Sequence, residues 1–146
     1  MSNIRRAKRE DLARIAEIEV FNYRLNFYPV FQNDSFYFDE LQVCSRMKEY
    51  ENDIDRIWVY DDGVVKGFAH IDRDEVKKLF VEPVLQGRGI GAALLNYAVR
   101  EMNVTFLWAL EKNVRAIAFY QKHGFRVTDD RKLEEDTDEY LVRLER

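Results

Sequence analysis

Cysteine is almost absent from this chain, since its 146 residues include only Cys44. A single cysteine cannot form an internal disulfide, which favours a reducing compartment. The sequence also lacks an apolar run long enough to cross a membrane, and its charged start around Ile4–Ala7 differs from a signal peptide. We therefore expect a cytoplasmic protein.

An excess of positive charge is missing as well. Lys and Arg total 23 against 27 for Asp and Glu, which gives a formal net charge of −4. This balance argues against nucleic acid or an anionic membrane as the main partner. A length of 146 residues, 47% of them hydrophobic, suffices for one domain with its own core. We expect a single domain over residues 1–146.

Glycine is scarce too, with six residues, but three of them lie close together at Gly87, Gly89 and Gly91. The strand-like run Leu79–Val81 precedes them, and apolar residues at helical spacing follow from Leu94 onward. A glycine turn that leads into a helix presents unpaired N–H groups and a partial positive charge. The turn therefore predicts an anion-binding site.

The rest of the chain alternates between strand and helix patterns. We predict strands at 4–7, 54–60, 64–71, 75–81, 105–110, 125–128 and 139–144, and helices at 9–24, 39–51, about 91–102 and 113–123. Three strands joined by tight turns form an antiparallel meander, and the strand–helix–strand unit after it implies a parallel pair. The fold class is therefore α+β: a mixed, mostly antiparallel sheet of six to seven strands, flanked by about four helices.

The segment from Phe21 to Phe38 is aromatic and irregular, with Pro29 and Asn33-Asp34 as breakers. Aromatic side chains are common in small-molecule sites, so this segment could line a substrate pocket. It could equally cap the core between two helices. The sequence leaves both interpretations open.

Two interpretations of the glycine turn compete. Gly87, Gly89 and Ala92 fit a loose dinucleotide-binding pattern, and Glu111 lies about where a ribose-binding acid would be expected. However, a hairpin meander precedes the turn, and too little chain follows it for a second nucleotide-binding half. The Gly-Lys-Ser/Thr ending of a phosphate loop is absent, which argues against ordinary nucleoside triphosphate chemistry.

The second interpretation uses two motifs. Gln86–Gly91 reads Gln-x-x-Gly-x-Gly, and Asn113–Phe125 reads Asn-x-x-Ala-x-x-x-Tyr-x-x-x-Gly-Phe. In this order, with a strand before the first motif, they resemble the GNAT family of N-acetyltransferases over nearly the whole chain. The resemblance implies a GNAT-like sheet that splays at the strand before the glycine turn. It also implies acetyl-coenzyme A (acetyl-CoA) as cosubstrate, with no metal.

By this resemblance, the pantetheine arm of acetyl-CoA lies along that strand, and its pyrophosphate lies in the glycine turn. A backbone N–H of the strand polarises the thioester carbonyl. Gln86 could instead hold the loop in shape, Arg88 could be a solvated side chain, and Asn113 could also cap a helix. The implied cofactor-binding residues are Leu79, Phe80, Val81, Gln86, Gly87, Arg88, Gly89, Ile90, Gly91, Ala92 and Asn113.

The resemblance also implies catalytic residues. Tyr120 matches the family tyrosine that gives a proton to the departing thiolate, although on its own it could be a core aromatic residue. Glu75 lies as far from Gln86 as the glutamate base of histone-acetylating relatives, or it is an exposed strand residue. Trp108 occupies a position where another family pattern has a glutamate, so that base is missing. His70 is a further candidate with a structural alternative.

We therefore predict an acetyl-CoA-dependent N-acetyltransferase in which a primary amine of a small molecule or a protein terminus attacks the thioester directly in a ternary complex. The alternative is a non-catalytic module of the same fold that binds acyl-CoA as a sensor. The acidic run Glu134–Asp136 could attract a cationic amine or form a solvated loop. Exposed edge strands near the C-terminus are compatible with a homodimer.

Overall fold

A seven-stranded sheet forms the centre of the computed structural model, which describes residues 2–146. Its strands are β1 (Ile4–Arg6), β2 (Ile57–Asp61), β3 (Val65–Asp72), β4 (Glu75–Val81), β5 (Phe106–Leu110), β6 (Arg126–Leu133) and β7 (Tyr140–Glu145). They lie in the order β1-β2-β3-β4-β5-β7-β6, and all neighbours are antiparallel except the pair of β4 and β5. The predicted mixed, mostly antiparallel sheet is confirmed.

Helices cover both faces of this sheet: α1 (Leu12–Asn22), α2 (Tyr28–Phe31), α3 (Val43–Glu51), α4 (Ile90–Met102) and α5 (Val114–Lys122). Neighbouring residues of β3 point to opposite faces, as strand geometry requires. Phe68 belongs to the core that holds Ile15 of α1, whereas Ala69 belongs to the core that holds Leu94 of α4. The site described below therefore lies between an α1 face and an α4–α5 face.

None of the helices within residues 2–146 is long and apolar enough to span a bilayer. The longest is α4, with 13 residues.

The aromatic segment is more helical than its sequence indicates. Helix α1 continues into a wide π-type turn at Tyr23–Phe27, and a second such turn at Ser35–Glu40 precedes α3. Tyr37 is buried with Val20 and Leu41 in a small core of its own. π-type turns are rare and occur often at functional sites. The predicted helix at 39–51 begins only at Val43, because the backbone becomes extended just before it.

Candidate active site

Strands β4 and β5 separate after only two residue pairs. Glu75 pairs with Phe106 and Val76 pairs with Leu107, and no further pair follows along the described strands. The remaining length of β4, up to Val81, consequently has no strand beside it on the β5 side. The splay predicted before the glycine turn is confirmed as a gap in the middle of the sheet.

The hydrogen-bond pattern of β4 decides which backbone groups face this gap. The N–H of Glu82 donates to the carbonyl of Lys66 at 2.9 Å, on the β3 side. Hydrogen-bonded pairs alternate in an antiparallel ladder, so Phe80 also directs its backbone groups toward β3. Leu79 and Val81 then direct theirs into the gap. Two N–H groups thus face a region where the described chain provides no strand partner.

A buried asparagine ties helix α1 to the end of β4 and to the glycine turn. The Asn22 amide donates to the carbonyls of Ile18 and Val81 at 2.8 and 2.9 Å. Its Oδ1 accepts from Gln86 at 3.2 Å and from Asn26 at 3.3 Å. Gln86 therefore holds the loop to the helix, and it also lines the gap. The sequence does not indicate this role of Asn22, because Val81 and Gln86 lie 59 and 64 residues away along the chain.

The glycine turn closes around the open end of the gap. Gly87 and Gly89 have φ angles of +82° and +84°, and a Cβ at either position would meet nothing within 4 Å. This left-handed backbone favours glycine, and the open space lets a ligand reach the main chain. Helix α4 begins at Ile90, directly after Gly89, so its first N–H groups have no acceptor within the helix. The turn thus forms an open cradle that can bind an anion.

The gap and the cradle together form one cavity of about 440 Å³. This volume lies within the range of roughly 300–1,000 Å³ that is usual for small-molecule sites. Its walls include Phe27 on the α1 face and Phe119 on the α5 face, so the cavity passes through the sheet. Arg88 is exposed and does not line it. The predicted cofactor residues that do line it are Leu79, Phe80, Val81, Gln86, Gly87, Gly89, Ile90, Gly91, Ala92 and Asn113.

Tyr120 lies on α5 in the wall of this cavity. Its ring packs against Phe119 and Phe125, with centroid distances of 5.3 and 6.1 Å. Burial raises the pKa of Tyr120 to about 12. The hydroxyl therefore keeps its proton at neutral pH, as a proton donor must.

Asn113 caps the same helix. Its Oδ1 accepts a hydrogen bond from the N–H of Ala116 at 3.3 Å, which satisfies one of the free donors of the first turn. The residue also lines the cavity. A capping role and contact with a ligand are thus compatible at this position.

The two candidate bases lie outside the cavity wall. Glu75 is the first residue of β4, at the closed end of the gap and about 13 Å along the strand from Leu79. Burial lowers the pKa of His70, whose Nδ1 has no hydrogen-bond partner within residues 2–146. The structure therefore does not bring either residue together with Tyr120, and the role of Glu75 stays a prediction.

A buried ionic cluster beside β4 could not be anticipated from the sequence. Glu19 of α1 has no exposed surface and accepts hydrogen bonds from Arg46, Tyr50 and Lys78, the last at 2.7 Å. Burial and the Glu19 carboxylate raise the pKa of Tyr50 well above its usual range, so its phenol remains a donor. These partners lie 27, 31 and 59 residues away along the chain, so no local pattern indicates them.

The cavity and the sheet around it define an acetyltransferase domain, and comparison with known proteins agrees. A family model described as an acetyltransferase (GNAT) domain matches residues 53–127. An N-acetyltransferase from Archaeoglobus fulgidus is 32% identical over 141 residues, which cover 84% of this chain and 92% of that protein. The chain belongs to the GNAT family. The predicted family is confirmed, and the dinucleotide interpretation of the glycine turn falls away.

Other relatives match more locally. The peptidyl-lysine N-acetyltransferase YiaC from Escherichia coli is 38% identical over 74 residues, which cover 49% of this chain and 51% of YiaC. The match thus spans about half the length of that relative.

Solved structures share the fold at low sequence identity. PaiA N-acetyltransferase from Thermoplasma acidophilum, determined in complex with coenzyme A, has a TM-score of 0.77 at 20% identity and covers 98% of both chains. The apo form of YjaB from Escherichia coli has a TM-score of 0.72 at 22% identity, covering 97% of this chain and 95% of that one. The predicted GNAT-like fold is confirmed.

Proposed function

We propose that this protein transfers an acetyl group from acetyl-CoA to a primary amine by direct attack in a ternary complex. The observation that supports this most strongly is the gap between β4 and β5, which leads into the glycine cradle. Acetyl-CoA supplies an acetyl group that is already activated as a thioester. The chain has to bind that molecule, expose its carbonyl to the amine and provide a proton for the leaving thiolate.

The residues of the cavity fit acetyl-CoA. A pyrophosphate needs several converging N–H donors, and the turn at residues 87–92 offers them without side-chain walls. The amide groups of pantetheine can pair with the backbone of Leu79 and with the N–H of Val81, because the Val81 carbonyl already accepts from Asn22. Within the described residues, no cluster of three or more His, Cys, Asp or Glu side chains could hold a metal ion.

Two groups of the chain carry the chemistry in this proposal. A backbone N–H of Leu79 or Val81 stabilises negative charge on the thioester oxygen, a contribution that depends on the strand and not on its side chains. The neutral amine attacks the thioester carbon, the C–S bond breaks, and Tyr120 donates its proton to the sulfur. The proton that the amine loses returns to the Tyr120 oxygen through solvent water. The apolar surroundings that raise the pKa of Tyr120 also raise that of a buried thiol, which keeps the transfer feasible.

The acceptor approaches from the α1 face. There the rings of Phe27 and Phe80 line the cavity and lie 6.4 Å apart. The aromatic segment thus contributes Phe27 to the cavity, while Tyr37 is buried in a core. YiaC is named a peptidyl-lysine N-acetyltransferase, and a long, unbranched lysine side chain suits an entry that is lined on one side by aromatic rings. We therefore propose the lysine side chain of a peptide as the acceptor.

Isothermal titration with acetyl-CoA, followed by an assay for released thiol, tests this function. We expect saturable binding, and thiol release that depends on an added lysine peptide. Saturable binding without acceptor-dependent release, across lysine peptides and small amines, would instead identify a sensor of acyl-CoA. Failure to bind acetyl-CoA would contradict the proposal at its first step.

We expect Gly89→Ala to weaken acetyl-CoA binding about ten- to a hundredfold. A methyl group in the cradle blocks close approach of the pyrophosphate, and a lost hydrogen bond to a charged group is worth about 1.5–3 kcal/mol. Gly63→Ala is the control, because Gly63 also has a positive φ, of +123°, and open space around it, but lies in the hairpin between β2 and β3. Calorimetry should show weaker acetyl-CoA binding only for Gly89→Ala. An equal loss of affinity in Gly63→Ala would mean that backbone strain, and not a blocked cradle, weakens binding.

A further inference from the structure

Trp108 stands at the edge of the gap, on the face from which the acceptor approaches. It follows Leu107, the last residue of β5 that pairs with β4. Leu107 and Ala109 belong to the core under α4 and α5, so Trp108 points to the opposite face, as Phe80 does across the gap. Its side chain is half-buried, and its indole surface lies outside the lining of the cavity.

A lysine of the protein itself covers that surface. The Nζ of Lys132, on β6, lies 4.3 Å from the centroid of the Trp108 ring. The neighbouring Arg131 pairs with Glu111, whereas Lys132 has no carboxylate partner in the described part of the chain. An exposed cation–π contact is weak and easily exchanged. The indole is thus covered by a cation that no ion pair holds in place.

The surroundings of this contact also suit a positive charge. Glu134 follows β6, two residues after Lys132. Burial is the main cause of the raised pKa of Tyr23 and Tyr37, and the Glu134 carboxylate contributes to both. The Glu134 carboxylate therefore adds negative potential at the aromatic segment, where Tyr23 packs on Phe80 with ring centroids 5.6 Å apart. Negative potential together with aromatic faces is the combination that recognises ammonium and guanidinium groups.

We propose that the indole face of Trp108 is a subsite for a cationic side chain of the acceptor, and that Lys132 occupies this subsite until the acceptor displaces it. The inference rests on the proposed function and narrows its acceptor to a positively charged peptide. When the acceptor binds, its cationic side chain replaces the ammonium group of Lys132 on the Trp108 ring. Lys132 lies on an exposed edge strand, so its ammonium group moves into water at little cost.

Nuclear magnetic resonance of the indole N–H groups tests the subsite without any acetyl transfer. The chain has two tryptophans, and Trp58, buried beneath Arg6, serves as the internal reference. The probe is a peptide with one trimethyl-lysine, which cannot accept an acetyl group, and its control carries norleucine there. We expect the trimethyl-lysine peptide to shift the Trp108 signal saturably and to leave Trp58 unchanged. The norleucine peptide should shift neither signal.

Substitutions at Lys132 and at Trp108 should act in opposite directions. Lys132→Ala removes the competitor and should tighten binding of the probe about two- to fivefold, while Trp108→Ala should abolish it and Trp108→Phe should weaken it. Calorimetry measures binding in these variants, because the Trp108 signal is absent when that residue is replaced. Lys48→Ala, which removes an exposed charge on α3, controls for net charge and should change nothing. Weaker binding by Lys132→Ala, or no shift of Trp108 in the wild type, would overturn the subsite. If acetyl-CoA does not bind but Trp108 still responds, the proposed function fails and the cation site stands.

Discussion

Glu19→Gln is expected to lower the free energy of unfolding by about 3–5 kcal/mol, as removal of one partner from a buried ion pair does. The Glu19 side chain has no exposed surface and faces two cations, Arg46 and Lys78. Without the carboxylate, both cations lose their buried counter-charge. Gln keeps one acceptor oxygen, so it cannot serve both Arg46, on one carboxylate oxygen, and Tyr50 with Lys78, on the other. Chemical denaturation of the purified variant measures the loss directly.

Glu49→Gln provides a matched control for that experiment. Glu49 also pairs with Arg46, at 2.9 Å, but its side chain is 69% exposed. Exposed pairs are worth about 1 kcal/mol or less, so this variant should unfold close to the wild type. Similar losses of unfolding free energy in the two variants would show that the contribution of each ion pair does not depend on its burial.

Tyr120→Phe is expected to lower kcat about a hundredfold or more while acetyl-CoA affinity changes little. The ring and its packing stay in place, and only the proton donor is removed, which typically costs 10²–10⁴ in rate. Steady-state kinetics and calorimetry separate the two effects. Tyr140→Phe makes the same chemical change at an exposed position on β7 and should leave both quantities unaltered. Unchanged turnover in Tyr120→Phe would remove this residue from the mechanism.

The pH profile gives an independent check on the same residue. A phenol donates its proton only below its pKa, and burial raises the pKa of Tyr120 to about 12. The donor form is therefore present across the neutral and mildly alkaline range. We expect kcat of the wild type to show no decline attributable to this group below about pH 11. A Tyr120-dependent decline near pH 10 would mean that the hydroxyl is more exposed than the structure indicates.

The features that the sequence predicted well are local ones. Strand β4 was predicted at 75–81 and is observed there, because turn residues precede it and Pro83 follows it. The glycine turn and the Asn113–Phe125 motif are likewise contiguous, so most residues of these motifs that line the cavity could be named before the structure. All of these were predicted by periodicity, turn chemistry or motif resemblance, which need no knowledge of the tertiary contacts.

The features that were missed depend on contacts between distant segments. Strand β6 extends to Leu133, well past the predicted 128, although seven of its eight residues are exposed and five are charged. Its pairing with β7, not its own pattern, makes it a strand. The Asn22–Gln86 hydrogen bond joins residues 64 positions apart. Neither periodicity nor composition can indicate a contact of that kind.

The short junction between β4 and β5 has a mechanical consequence. The halves β1–β4 and β5–β7 of the sheet are joined edge to edge by two residue pairs. A ligand that lies along the unpaired part of β4 would hold the two halves of the sheet together. Because such a ligand binds only the folded chain, a higher ligand concentration should raise the melting temperature of the protein. The thermal stability of the protein would then depend on the concentration of acetyl-CoA.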